Sequence, residues 1–182
     1  MRFFSQVLAT VAIVATGVAA ELEDGVQLGE IFGGPHGKKY SDIELVSAGQ
    51  AVRSITIRSS DRVDAVALDV DTIQGDPTTF YHGGNGGDKN TLTMGGDEHV
   101  TGIEVHWGKY YRKTRVMYIE FTTNAGNTLS GGTPQKNTDK IDSDTAPEGY
   151  QLGGFQGFAG NELDSVGAIW TSIEPVEEEG SF

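Results

Sequence analysis

The chain has 182 residues, a formal net charge of −13, 26 glycines and no cysteine. That length suits one domain with a real core, and without disulfides the core and sheet pairing must hold it together. The acidic balance argues against nucleic acid or an anionic membrane surface as partner.

The chain opens on MRFFSQVLATVAIVATGVAA, in which Arg2 precedes an apolar run that ends on Val18-Ala19-Ala20. This pattern predicts a secretory signal over 1–20, cleaved after Ala20, too short and wrongly flanked for a membrane anchor. No later run approaches spanning length, so no membrane insertion is expected. No Asn-x-Ser/Thr sequon occurs. Residues 21–32 read as an acidic N-terminal segment without a clear strand.

A glycine cluster, Gly33-Gly34-Pro35-His36-Gly37, opens the domain, which the sequence places over 33–173. Period-two stretches follow at Asp42 to Val46, at Val52, Ile55 and Ile57, and at Val63, Val66, Leu68 and Val70. A second cluster, Gly83-Gly84-Asn85-Gly86-Gly87, precedes Leu92 and Met94, then Val100, Ile103 and Val105, then Val116, Tyr118 and Phe121. Pro134 to Gly149 reads as a long polar loop. Gly153 to Gly157 leads into a last hairpin, and 174–182 reads as a frayed acidic tail.

Short strands with turn signals and almost no helical periodicity predict an all-β protein. Val52-Arg53-Ser54-Ile55, Val100-Thr101-Gly102-Ile103 and Leu152-Gly153-Gly154-Phe155 share one pattern, 48 and 52 residues apart. One unit of about four short strands cannot bury its own apolar face, so three should share a core. The expected architecture is a β-prism of three four-stranded sheets around a pseudo-threefold axis.

The candidate chemistry lies at Gly160-Asn161-Glu162-Leu163-Asp164, read as a hairpin tip with a glycine able to take φ > 0. Backbone N–H donors beside one carboxylate suit a ligand made of hydroxyls, because a carboxylate accepts from two adjacent hydroxyls. Neither a nucleophile nor a metal is needed, and no cofactor is implied. His36, His82, His99 and His106 lack metal spacing. Glu162 and Asp164 share one short loop, whereas glycosidase carboxylates flank a bond from opposite sides. No catalytic residue is therefore assigned.

The order GGPHG, FYHGGNGG and GFQGFAGNELDSVGAIW resembles the jacalin-related lectins, over Gly33 to about Trp170. The resemblance implies a prism of Greek-key sheets and a mannose- or glucose-type glycan as partner. It implies a site in which Gly34 gives close approach, the N–H groups of Glu162 and Leu163 donate, and Asp164 accepts from two sugar hydroxyls, with Asn161 in the same loop. The hairpin from Trp107 to Lys113 would tune specificity, with the roles of Trp107, Tyr110 and Tyr111 open.

The repeat also points to a second carbohydrate site. Ser60-Asp61-Arg62-Val63-Asp64 lines up with the last loop, and Gly83-Gly84 with Gly33-Gly34. There Ser60 replaces glycine, which strains the loop if φ > 0 is needed. The middle hairpin, Lys113 to Val116, has no carboxylate, so no third site is expected. A carbohydrate-active enzyme and a prism used only for protein contact are the competing readings. Self-association into a homo-oligomer is one route to multivalent binding.

Overall fold

The computed structural model describes residues 22–136 and 139–177. The expected signal segment 1–20 and the end of the tail, 178–182, lie outside the described residues. Among the described residues, twelve strands form three four-stranded antiparallel sheets. They are β1 (Val26–Gly33), β2 (Lys38–Ser41), β3 (Ala51–Ser59), β4 (Val63–Asp71), β5 (Pro77–Gly83) and β6 (Asp88–Thr93). Then follow β7 (Val100–Tyr110), β8 (Lys113–Thr123), β9 (Thr128–Gly132), β10 (Ile141–Thr145), β11 (Tyr150–Ala159) and β12 (Leu163–Ser172). The sheet orders are β5-β4-β3-β6, β10-β7-β8-β9 and β1-β12-β11-β2. The third sheet joins the first and last of these strands, and together the sheets make the expected β-prism.

A long hairpin is the centre of each sheet: β3–β4, β7–β8 and β11–β12. The repeat motif has a structural meaning. In each hairpin the incoming strand shifts register inside it, between Val52 and Ser54, Val100 and Gly102, and Leu152 and Gly154. The extra residue is a β-bulge, which sharpens the twist a closing sheet needs. Beyond each bulge Ile55, Ile103 and Phe155 enter the shared core. Phe121 and Phe155 meet there at 6.0 Å between ring centroids.

Three local expectations change. Residues 21–32 are not strandless, because β1 starts at Val26 and pairs along β12. Its pattern escapes a period-two reading because only Val26 and Phe32 are buried, and the register shifts between Leu28 and Ile31. The polar segment from Pro134 to Gly149 contains β10, which is held to β7 as an edge strand. An edge strand needs paired backbone and little apolar surface, so Ile-Asp-Ser-Asp-Thr suffices. Asp42 to Val46 is a turn, in which the Leu45 and Val46 amides donate to the Asp42 carbonyl.

That turn places a tie between sheets. Asp42 is 2 % exposed, and its carboxylate accepts from the Phe155 amide at 2.8 Å and lies 2.8 Å from His82 Nε2. His82 in turn stacks on Tyr40 at 4.1 Å, and the Tyr40 hydroxyl donates to the Ser165 carbonyl. Burial first, and then the Asp42 charge, push the Tyr40 phenol well above its ordinary pKa, so it stays a donor. Asp42→Ala would leave a buried amide unpaired and should cost about 2–3 kcal/mol in denaturant unfolding. Exposed Asp142→Ala, measured beside it, should stay within about 0.5 kcal/mol of the parent.

Candidate functional site

The three hairpins end at one apex of the prism, and each carries a second bulge just past its tip. On β4, β8 and β12 the unpaired residue is Asp64, Met117 and Asp164. The sequence signal is a spacing of three between buried residues where a strand would have two: Val63 to Val66, Val116 to Ile119, and Leu163 to Val166. Bulges re-aim side chains, and these turn their residue out of the pleat toward the apex.

The carbonyl of each bulged residue is covered in the same way. It accepts from the amide of Gly84, Thr133 or Gly34, at 3.0, 2.8 and 2.9 Å for Asp64, Met117 and Asp164. The residue before each donor is Gly83, Gly132 or Gly33, with φ of 120°, 86° and 119°. A Cβ at any of the three would run into that same carbonyl oxygen, so glycine is required on both counts. Asp64 and Asp164 are therefore related by the pseudo-threefold, as the sequence repeat indicates. In the middle copy Met117 stands at the carboxylate's place and Thr133 at the second glycine's, so that corner offers no acid.

The tip glycine behaves differently from expectation. Neither Gly160 nor Ser60 has φ > 0, and nothing lies within 4 Å of a Cβ added at Gly160. In both loops the residue's amide donates at 3.0 Å to the carbonyl two residues on, Arg62 or Glu162. Serine at 60 is thus unstrained, and the loop geometry is duplicated.

What surrounds the two acids is not duplicated. Two residues before each bulge stand Arg62, Arg115 and Glu162. At the Asp164 corner the neighbouring hairpin is β7–β8. Its Thr114 packs on Gly34, and its Arg115 forms an ion pair with Asp164 Oδ1 and lies 3.1 Å from Glu162. Asp164 is fully buried, and neither carboxylate oxygen takes an aligned hydrogen bond. The Thr114 amide also donates to His36 Nδ1 at 3.2 Å, which draws the first glycine loop against this hairpin.

At the Asp64 corner the neighbouring hairpin is β11–β12, whose residue in Arg115's place is Glu162. A carboxylate cannot cap a carboxylate. Glu162 turns instead to Arg62, which donates from Nη2 at 2.6 Å and Nε at 3.2 Å. Arg62 also lies 3.6 Å over the Tyr110 ring, a cation–π contact. The second glycine loop is held to its own sheet by Arg58, which donates to the carbonyls of Asn85, Gly86 and Gly87. Phe158 occupies the equivalent place by the first loop. Asp64 consequently opens onto a cleft of about 680 Å3, walled by Asn85, Gly86, Tyr110, Lys113, Arg115 and Asn161. Asp64 is 8 % exposed, and its Oδ2 has no hydrogen-bond partner. Burial first, and then the Glu162 charge, raise its pKa above the ordinary carboxylate value, while Arg62 and Arg58 oppose the rise.

The remaining residues named from sequence separate accordingly. Asn161 is exposed, and its carbonyl touches Gly84. The side chains of Leu163 and Val63 are buried in the shared core, so only their backbone can face the apex. Asp61 is exposed at its tip and does not line the cleft. Trp107 stacks on Phe32 at 5.9 Å and serves packing. Tyr111 is 84 % exposed and sits with Arg112 at φ of 46° and 68°, a costly conformation for non-glycine residues that the two-residue hairpin turn imposes. The sequence reading missed Arg115 and Thr114. Aligning the three-residue spacings would have put Arg115 in register with Arg62 and Glu162. Among the described residues, no three of His, Asp and Glu cluster so as to hold a metal.

The family model described as the jacalin-like lectin domain matches residues 29–169. A relative named Secreted RxLR effector protein 19, from Plasmopara viticola, is 28 % identical over 93 % of this chain and 94 % of its own. Among solved structures, the wild-type Malaysian banana lectin aligns with a TM-score of 0.68 at 23 % identity, over 81 % of this chain and 99 % of that one. A mannose-specific jacalin-related lectin from Morus nigra, solved in complex with mannose, aligns at 0.66 with 22 % identity, over 82 % and 96 %. At these identities the structural likeness speaks for the fold, and the match over most of the chain speaks for the family. The chain belongs to the jacalin-like lectin domain family.

Proposed function

We propose that this chain is a secreted lectin that binds mannose- or glucose-type glycans without catalysis, through the glycine loops and bulge carboxylates at its apex. The observation that carries the reading is Asp64, a buried carboxylate whose Oδ2 is unpartnered at the foot of an open cleft. Two adjacent equatorial hydroxyls donating to that carboxylate would replace the water it lost on folding, while Asn85, Gly86 and Asn161 supply further polar groups. The Asp164 loop, with Gly34, Asn161, Glu162 and Leu163, is the same device with Arg115 in the sugar's place. It receives a sugar when Arg115 turns outward and Thr114 yields. Secretion is supported by Arg2 and the apolar run to Ala20, and by the name of the Plasmopara relative.

Calorimetric titration of the chain from Glu21 with methyl α-mannoside, and a galactoside beside it, tests the reading. Saturable binding near one sugar per chain at roughly millimolar affinity is expected, abolished by Asp64→Ala. Retention in Asp64→Ala with loss in Asp164→Ala would move the site to the first loop. No binding of mannoside or glucoside at tens of millimolar would end the lectin reading. The double variant Thr114→Gly with Arg115→Ala should uncover Asp164 and raise the stoichiometry toward two.

The raised pKa of Asp64 sets the pH response. Binding needs the ionised acceptor, so on acidification affinity should begin to fall at a higher pH than an ordinary aspartate would set. For stability the sign is opposite: a carboxyl with a raised folded pKa opposes folding once ionised, so its cost appears as pH rises through the unfolded value. Asp64→Asn should therefore lose mannoside yet unfold at no lower temperature than the parent at neutral pH.

A further inference from the structure

The charge of this protein is sorted by position. At the end of the prism away from the site, the exposed acids Glu23 and Asp24 precede β1, and exposed Asp76, Asp97 and Glu148 lie in segments that join the strands. At the apex the balance reverses. Exposed Lys38, Lys39, Lys89, Lys109, Arg112 and Lys113 outnumber the exposed acids Asp61 and Asp88. A chain of net charge −13 thus presents a cationic end, and that end holds the open cleft.

The cations in and around the cleft divide into two sorts. Arg62 and Arg115 are spent on Glu162 and Asp164. Lys109, Arg112 and Lys113 are exposed and form no ion pair among the described residues. Lys113 lines the same cleft as Asp64. One wall therefore offers a buried, unpartnered acceptor for hydroxyls, and the facing hairpin offers free positive charge beside exposed Tyr111. The cleft, at about 680 Å3, is large enough for more than a single sugar ring. A neutral sugar would use the Asp64 wall and leave the lysine idle.

We infer that the cleft selects glycans carrying an anionic substituent (a phosphate, sulfate or uronate), with ring hydroxyls on Asp64 and the anion on Lys113 at the cleft wall, backed by exposed Arg112 on the adjoining hairpin turn. This deepens the lectin reading and rests on it. The anion would meet donors that no other group among the described residues satisfies, and the cationic end would steer acidic glycans toward the site while the acidic remainder repels them.

The test compares mannose 6-phosphate, methyl α-mannoside and inorganic phosphate as calorimetric ligands at low salt. Mannose 6-phosphate should bind about tenfold more tightly than the neutral sugar. That advantage should shrink at 0.5 M salt and fall below twofold in Arg112→Gly with Lys113→Gln. Glycine suits the positive φ at 112, so the hairpin of this variant is not strained. Arg53→Gln, at the far end, should leave the ratio as it was. Equal affinity for the charged and neutral sugars would overturn the inference and leave the lectin reading standing. Binding of neither sugar would overturn both. Inorganic phosphate binding as tightly as mannose 6-phosphate, indifferent to Asp64→Ala, would mark a plain anion site and overturn the inference as well.

Discussion

The constraint on which this molecule depends is the extra residue just past each hairpin tip. A strand in regular pleat alternates its side chains between core and solvent, and cannot aim one at the end of a prism. Inserting Asp64, Met117 or Asp164 breaks the pairing by one residue and turns that position to the apex. The bulge also frees a carbonyl, which an amide of the neighbouring loop must satisfy. Glycine before that amide follows from the closeness of the approach. The glycine clusters are thus a consequence of the bulge, and bring with them the loops that wall a site.

Symmetry then does half of the work and charge the other half. The threefold puts Arg62, Arg115 and Glu162 at one equivalent position, each leaning toward the next corner. Where that residue is Arg115 the neighbouring carboxylate is covered; where it is Glu162 the neighbouring carboxylate is left bare. Opposite signs at equivalent places make one loop closed and its twin open, although both share the same bulge and the same backbone hydrogen bonds. Glu162, unable to cap Asp64, is held by Arg62 and Arg115 together, which ties three hairpin tips into one rigid rim.

Ties between sheets keep the rim in position. Asp42 and His82 join the first and third sheets through the Phe155 amide, and the Trp170 indole donates to Asp144 on β10. These are polar contacts at the seams of an apolar core, where a missing partner would cost more than the contact contributes. They let a chain without disulfides present an ordered apex. A preformed rim matters for a binding protein, because ordering it on contact with a weak ligand would consume the small free energy of sugar binding.

The sequence by itself determined the all-β class, the three units and the duplicated loops, because these rest on local spacing: period-two runs, glycine clusters and a repeated four-residue motif. It also singled out Asp64 and Asp164 as a matched pair, since each stands four residues after the first residue of its hairpin loop, Ser60 or Gly160. It missed β1 and β10, whose edge pairing needs backbone partners more than apolar side chains. It gave Gly160 a positive φ that the loop does not adopt. Only the tertiary structure decided which of the two carboxylates faces an open cleft. That depends on Arg115, Thr114 and Glu162, which are distant in sequence from the acids they cover or leave bare. Closing the sheets around one axis brings each hairpin against its neighbour, and no reading of a single loop contains the charge that the next one supplies.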